Sequence, residues 1–196
     1  MYVDPNCWDR VNSFALVSYI PEPISGFLDR LRQELVPNCF LRAHITILPP
    51  RPVASPHAAW DCIRAIAPHF PPLEVEMTSL QVFHVSDVIY IGIGAGMEQL
   101  QQMHAVLNAD CLAFEEPFKY HPHITLAQEL KPDELDELTR VARERWAAFP
   151  HERTFRLDRV VFVQNTRRNR WIDLGECALG LDESRLVSEL SDTLVG

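Results

Sequence analysis

The chain has 196 residues, 47% of them hydrophobic, which suits one domain or two small lobes around a shared core. A formal net charge of −9 argues against non-specific binding of long nucleic acid, which needs surplus Lys and Arg, but leaves room for a small anion on a local basic patch. Met1–Pro5 lacks a basic segment followed by an apolar one, and no apolar run reaches bilayer length, so neither a signal peptide nor a membrane span is expected.

The first predicted strand is Phe14–Ile20. Pro23–Leu35 reads as an amphipathic helix, with Ile24, Phe27, Leu28, Leu31 and Leu35 on one face. A strand around His44, a helix over Ser55–Ala67 and a strand over Leu73–Phe83 follow, punctuated by Pro49-Pro50 and Pro71-Pro72. Val88–Ile93 is a strand and Met97–Leu112 a helix. Between them, Gly92-Ile93-Gly94-Ala95-Gly96 lacks the Lys-Ser/Thr of a phosphate-binding loop and reads as a strand-to-helix turn. Then come a strand around His123, a helix opened by Pro132 and ending near Ala148, and a strand over Thr154–Gln164. Trp171–Leu174 is its expected hairpin partner. Asp182–Gly196 reads as a short peripheral helix with Leu186, Val187, Leu190 and Leu194 as its apolar stripe. Five widely spread cysteines (Cys7, Cys39, Cys62, Cys111, Cys177), with no C-x-x-C, predict reduced, mostly buried thiols in a cytoplasmic protein.

Strand, helix, strand, helix, strand thus occurs twice. His44 and His123 are 79 positions apart, and so are Val82-Phe83 and Val161-Phe162. Equal offsets indicate an internal duplication, and hence an α+β fold built from a repeated βαβαβ unit. Pseudo-two-fold pairing of the halves brings the strands of His44 and His123 together at the centre.

Those strands read His44-Ile45-Thr46-Ile47 and His123-Ile124-Thr125-Leu126. Residues i and i+2 of a strand share a face, so each string presents an imidazole beside a hydroxyl, with Ile or Leu turned the other way. Two such pairs around one cavity supply two proton-transfer groups and two neutral donors, the set needed to cleave a phosphodiester by acid–base catalysis. Arg42 shares the face of His44 and either holds phosphate or pairs with a surface acid. Lys119 and Tyr120, just before the second string, are candidate nucleotide contacts. Arg167, Arg168 and Arg170 are the densest basic cluster, either a solvated hairpin turn or an arm over substrate phosphates, with Arg168 the candidate contact. Phe83, Tyr90 and Trp171 are candidates to stack a base, or else core aromatics; Phe83 is the one assigned to substrate. His121 and His123 form a His-Pro-His that would need further ligands to hold zinc, so His121 is read as an entrance residue. His104 and His151 are read as ordinary surface residues.

Both strings fit the H-x-[T/S]-x signature, and the context Phe118-Lys119-Tyr120-His121-Pro122-His123-Ile124-Thr125-Leu126-Ala127 is typical of its second copy. Over roughly residues 12–178 the chain resembles the 2H phosphoesterase superfamily, which includes the bacterial 2′-5′ RNA ligase-like proteins and cyclic nucleotide phosphodiesterases. The resemblance implies a single bilobal domain over 1–196, with repeat halves of roughly 12–86 and 87–178, a tail over 180–196, and antiparallel sheets flanking a central cleft. It implies that His44 and His123 are the catalytic pair and that Thr46 and Thr125 contact phosphate. It further implies action without metal or cofactor on a small nucleotide or RNA terminus carrying a 2′,3′-cyclic phosphate or a 2′-5′ linkage. A monomer is expected. A nucleotide- or RNA-end-binding protein without turnover, and a zinc protein using His121 and His123, are the alternatives.

Overall fold

A computed structural model describes residues 9–180 except 38 and 132; the N-terminal segment, Pro132 and the expected C-terminal helix lie outside the described residues. The elements run β1 (Arg10–Tyr19), α1 (Ile24–Leu35), β2 (His44–Arg51), α2 (Pro56–Ile66), β3 (Leu73–Phe83), β4 (Val88–Ile93), α3 (Met97–Leu107), β5 (His123–Ala127), α4 (Leu135–Ala147), β6 (Thr154–Leu157), β7 (Arg159–Thr166) and β8 (Trp171–Ala178). Local chemistry explains the boundaries. The Ser55 hydroxyl accepts from Ala58 N at 3.2 Å, and Pro56 occupies the first turn of α2. Gly96 enters α3 at φ 89°, where a Cβ would lie 2.9 Å from Glu74 O, so the glycine stretch is indeed a strand-to-helix turn.

Two predicted elements break in two. The helix expected over Met97–Leu112 stops at Leu107, and a 3-10 turn at Asp110–Leu112 follows. Asn108 caps its end: its backbone N–H donates to His104 O, while its side-chain oxygen accepts from Phe114 N and its side-chain amide donates to Phe114 O. The strand expected over Thr154–Gln164 is β6 and β7, which turn at Asp158 and belong to different sheets.

The sheets are antiparallel, with orders β2-β1-β7-β8 and β5-β4-β3-β6. Each takes strands from both halves of the repeat. β1 pairs with β7 from the second half, and β4 pairs with β3 from the first. Helices cross as well: α1 packs on β5 and α4, while α3 packs on β2. One core cluster consequently runs through the molecule, and Leu16, Ile45, Ile47, Ile89, Ile91 and Ile124 are fully buried in it. At about 25 cal/mol per Å² of apolar area, each such side chain contributes about 1.5–3 kcal/mol. A smaller cluster of Ala15, Val17, Val161 and Val163 lies on the opposite face of β1 and β7, packed by Tyr19 and Trp171. It floors a cleft.

Cys62 of α2 and Cys111 of the 3-10 turn lie side by side with their Cα atoms 7.4 Å apart, wider than a disulfide spans, and Cys39 and Cys177 are free. The fold brings together two cysteines 49 residues apart, which spacing along the chain did not suggest.

Candidate active site

The motif strands β2 and β5 each lie at one edge of their sheet, and they contact one another across the cleft. Each motif histidine opens its strand. Burial over the first five residues is the same in both strands. His and Thr are half-buried, while the intervening Ile45 and Ile124 and the following Ile47 and Leu126 are buried. The pleat therefore turns both His-Thr pairs outward from the core, as period-2 alternation requires. His44, Thr46, His123 and Thr125 line a single cavity of about 1590 Å³.

Both imidazoles are held in the same way. His44 Nδ1 lies 2.7 Å from Arg42 O, and His123 Nδ1 lies 2.7 Å from His121 O. A carbonyl oxygen only accepts, so each Nδ1 carries the proton and donates. Each Nε2 is left without a hydrogen bond among the described residues, as are the hydroxyls of Thr46 and Thr125. The approach to β2 is fixed from α1: Ala43 N donates to Asp29 Oδ1 at 2.7 Å, and Arg32 donates to Arg42 O at 3.1 Å.

Burial away from water holds both histidines below their ordinary range. His44 is pushed down to about 4, chiefly by desolvation, opposed by the Arg42 carbonyl and reinforced by the charges of Arg32, His123 and Arg42. His123 is lowered by desolvation and by His121, against the pull of the His121 carbonyl. Both shifts favour the neutral imidazole at pH 7.

The two walls differ. On the β1 side, the Arg42 guanidinium lies 3.5 Å from the Tyr19 ring centroid and 3.3 Å from Asp173, while the Tyr19 hydroxyl donates to Asp173 at 2.5 Å. Arg42 thus lines the cleft and pairs with an acid at once. On the β4 side, Phe83 and Tyr90 stack at 3.9 Å and meet His123 edge-on at 5.1 and 5.3 Å. Lys119 and Arg168 also line the cavity, Arg168 lying 3.5 Å from Asp9. Tyr120 lines it too, but its hydroxyl donates to Thr46 O at 2.8 Å. His121 is on the cleft wall, edge-on to Phe83. Among the described residues, no three His, Cys, Asp or Glu side chains gather as a metal-binding group. Among the described residues, Arg32, Arg42, Lys119, Arg168 and Arg170 line the cleft together with Glu116 and Glu129, so an acidic chain keeps a surplus of cations there.

His104 is corrected from surface residue to buried residue. Its Nδ1 donates to Ile47 O at 2.9 Å, its ring stacks on Tyr120 at 3.9 Å, and its Nε2 lies 3.6 Å from Glu116. The apolar stripe Leu100, Met103, Leu107 already contained the signal, since position 104 falls within it. Tyr19, Asp173, Arg51 and Glu116 also escaped the sequence reading, because their neighbours come from distant parts of the chain.

Two edge strands each present one histidine and one threonine to a cleft between interlocked antiparallel sheets. The family model of the 2′-5′ RNA ligase superfamily matches residues 20–169, and the chain belongs to that superfamily. E. coli LigT complexed with NADP+ superimposes with a TM-score of 0.61 at 17% identity, covering 88% of this chain and 99% of that one. LigT complexed with 3′-AMP gives 0.61 at 16% identity, with the same coverages of 88% and 99%. Usb1 from Kluyveromyces marxianus gives 0.50 at 12% identity, covering 83% and 97%. These likenesses show the shared fold. No curated protein is significantly similar in sequence.

Proposed function

We propose that the chain is a 2H phosphoesterase acting without metal on 2′,3′-cyclic phosphates or 2′-5′ phosphodiesters of a small nucleotide or an RNA terminus. One observation carries this reading: two identically held His-Thr pairs leave two imidazole nitrogens and two hydroxyls unspent in one cavity. One neutral Nε2 takes the proton of the attacking water or hydroxyl, and the other imidazole, protonated, gives its proton to the leaving oxygen. Thr46 and Thr125 donate to the non-bridging oxygens, where negative charge grows in the transition state. The bound phosphate supplies the negative charge that favours a proton on the histidine acting as acid. That LigT was captured with 3′-AMP and with NADP+ supports a nucleotide ligand.

A panel of 2′,3′-cyclic mononucleotides, 2′-5′ dinucleotides and 3′-5′ controls, assayed with EDTA and with product linkage identified, tests the reading. Turnover of a cyclic or 2′-linked substrate in EDTA is expected. Strict dependence on added divalent ion, or no turnover of any member, would overturn it.

A further inference from the structure

A sheet edge with a register shift leaves backbone carbonyls without strand partners, and β2 is such an edge. Side chains meet three of its carbonyls instead. Tyr120 donates to Thr46 O at 2.8 Å, His104 to Ile47 O at 2.9 Å, and Arg51 to Pro49 O at 3.0 Å. Tyr120 and His104 both come from the second half of the repeat. Their rings lie 6° from parallel with centroids 3.9 Å apart. Behind them, Glu116 lies 3.6 Å from His104 and pairs with Arg51 at 2.5 Å. Arg51 also donates to Asn108 at 2.5 Å and to Leu112 O at 2.8 Å. The first motif strand is therefore gripped by the segment that leads into the second.

We propose that Tyr120 is a positioning residue: by holding Thr46 O from the segment that carries His123 and Thr125, it sets the placement of one His-Thr pair against the other. This rests on the phosphoesterase reading above. The hydroxyl of Tyr120 is spent on Thr46 O, and one face of its ring is covered by His104. Burial raises the phenol well above its ordinary range, so the group stays a donor at any working pH. A phosphate shared by Thr46 and Thr125 needs both hydroxyls in place, and a displacement of about 1 Å in such a site costs roughly 10²-fold in rate.

Tyr120→Phe removes the one hydrogen bond and keeps the ring. Steady-state kinetics on the best panel substrate should show kcat falling by roughly 10–100-fold, KM within about threefold, and an unmoved pH profile. In parallel, methyl NMR of the threonines during a titration with inorganic phosphate should show the Thr46 response weakened and the Thr125 response kept. Wild-type kcat, or a raised KM with kcat unchanged, would overturn the proposal and make Tyr120 bystander or substrate contact. Should wild type turn over nothing in the panel, the phosphoesterase reading falls alone. The Thr46 response then decides the proposal: a full response in Tyr120→Phe overturns it. Tyr120→His keeps an aromatic ring against His104 without the phenol that reaches Thr46 O, and is the second variant if Tyr120→Phe fails to fold. It should show the same kcat-selective loss, and wild-type kcat there would count against the proposal.

Discussion

At the scale of single residues, the proposed chemistry rests on His44 and His123. His44→Ala and His123→Ala should each lower turnover by roughly 10²–10⁴-fold, the usual worth of one general acid or base. Thr46→Ala and Thr125→Ala should cost less, because each removes one of several contacts to phosphate charge. All four should stay folded, since these side chains are half-buried at a cavity and leave the core intact. Near-wild-type kinetics in a folded His44→Ala or His123→Ala would remove the two-histidine mechanism. The pH profile of kcat/KM should be bell-shaped with its optimum below pH 6.5, as both histidines are depressed in the free protein. Stability should follow the same group. Unfolded, His44 takes a proton near pH 6.5; folded, it resists until about 4. Between those values the unfolded state binds more protons, so stability is fully present above 6.5 and is lost as pH falls towards 4. His44→Gln should flatten that acid-side loss in urea denaturation. A slope equal to wild type would mean that His44 is not desolvated in the folded protein. Both motif histidines were legible as strand residues, because alternation with Ile and Leu is visible in the chain. The tautomer each one holds was not, since the accepting carbonyl is a matter of backbone position.

At the scale of elements, β2 is held by side chains from outside its sheet. The Arg51 side chain at its end is 2% exposed and pairs with Glu116, 10% exposed. Removing one partner of a buried pair leaves the other charge uncompensated, at a cost of about 3–5 kcal/mol. Arg51→Ala should therefore lower Tm sharply, with Glu116→Gln milder because it keeps a hydrogen-bonding group. A change in Tm no larger than that of an exposed Arg64→Ala would contradict the buried network. Arg51 and Glu116 look like ordinary surface charges in the chain. Only the approach of the loop after α3 to β2 pairs them. Helix ends were similarly half-legible. Ser55-Pro56 announces α2, whereas the early stop of α3 depends on the side chain of Asn108 reaching Phe114.

At the scale of the molecule, the halves of the repeat are not separable bodies. β3 completes the sheet of β4, and β7 completes the sheet of β1. A chain cut in the turn between Phe83 and Val88 should give two fragments that lack a full sheet and are unfolded alone by circular dichroism. Mixed, they should recover the native spectrum. A folded isolated half would show that the exchanged strand is dispensable. What the sequence determined by itself was everything carried by short-range periodicity: the order of elements, the duplication, the two His-Thr faces, and from these the α+β class and the candidate chemistry. What only the tertiary structure decided was which strand joins which sheet, where Thr154–Gln164 breaks between them, and how Tyr120, His104 and Arg51 close on the edge of β2. Periodicity along the chain records which face of an element is apolar, but long-range pairing depends on shape and hydrogen-bond complementarity between segments far apart in sequence.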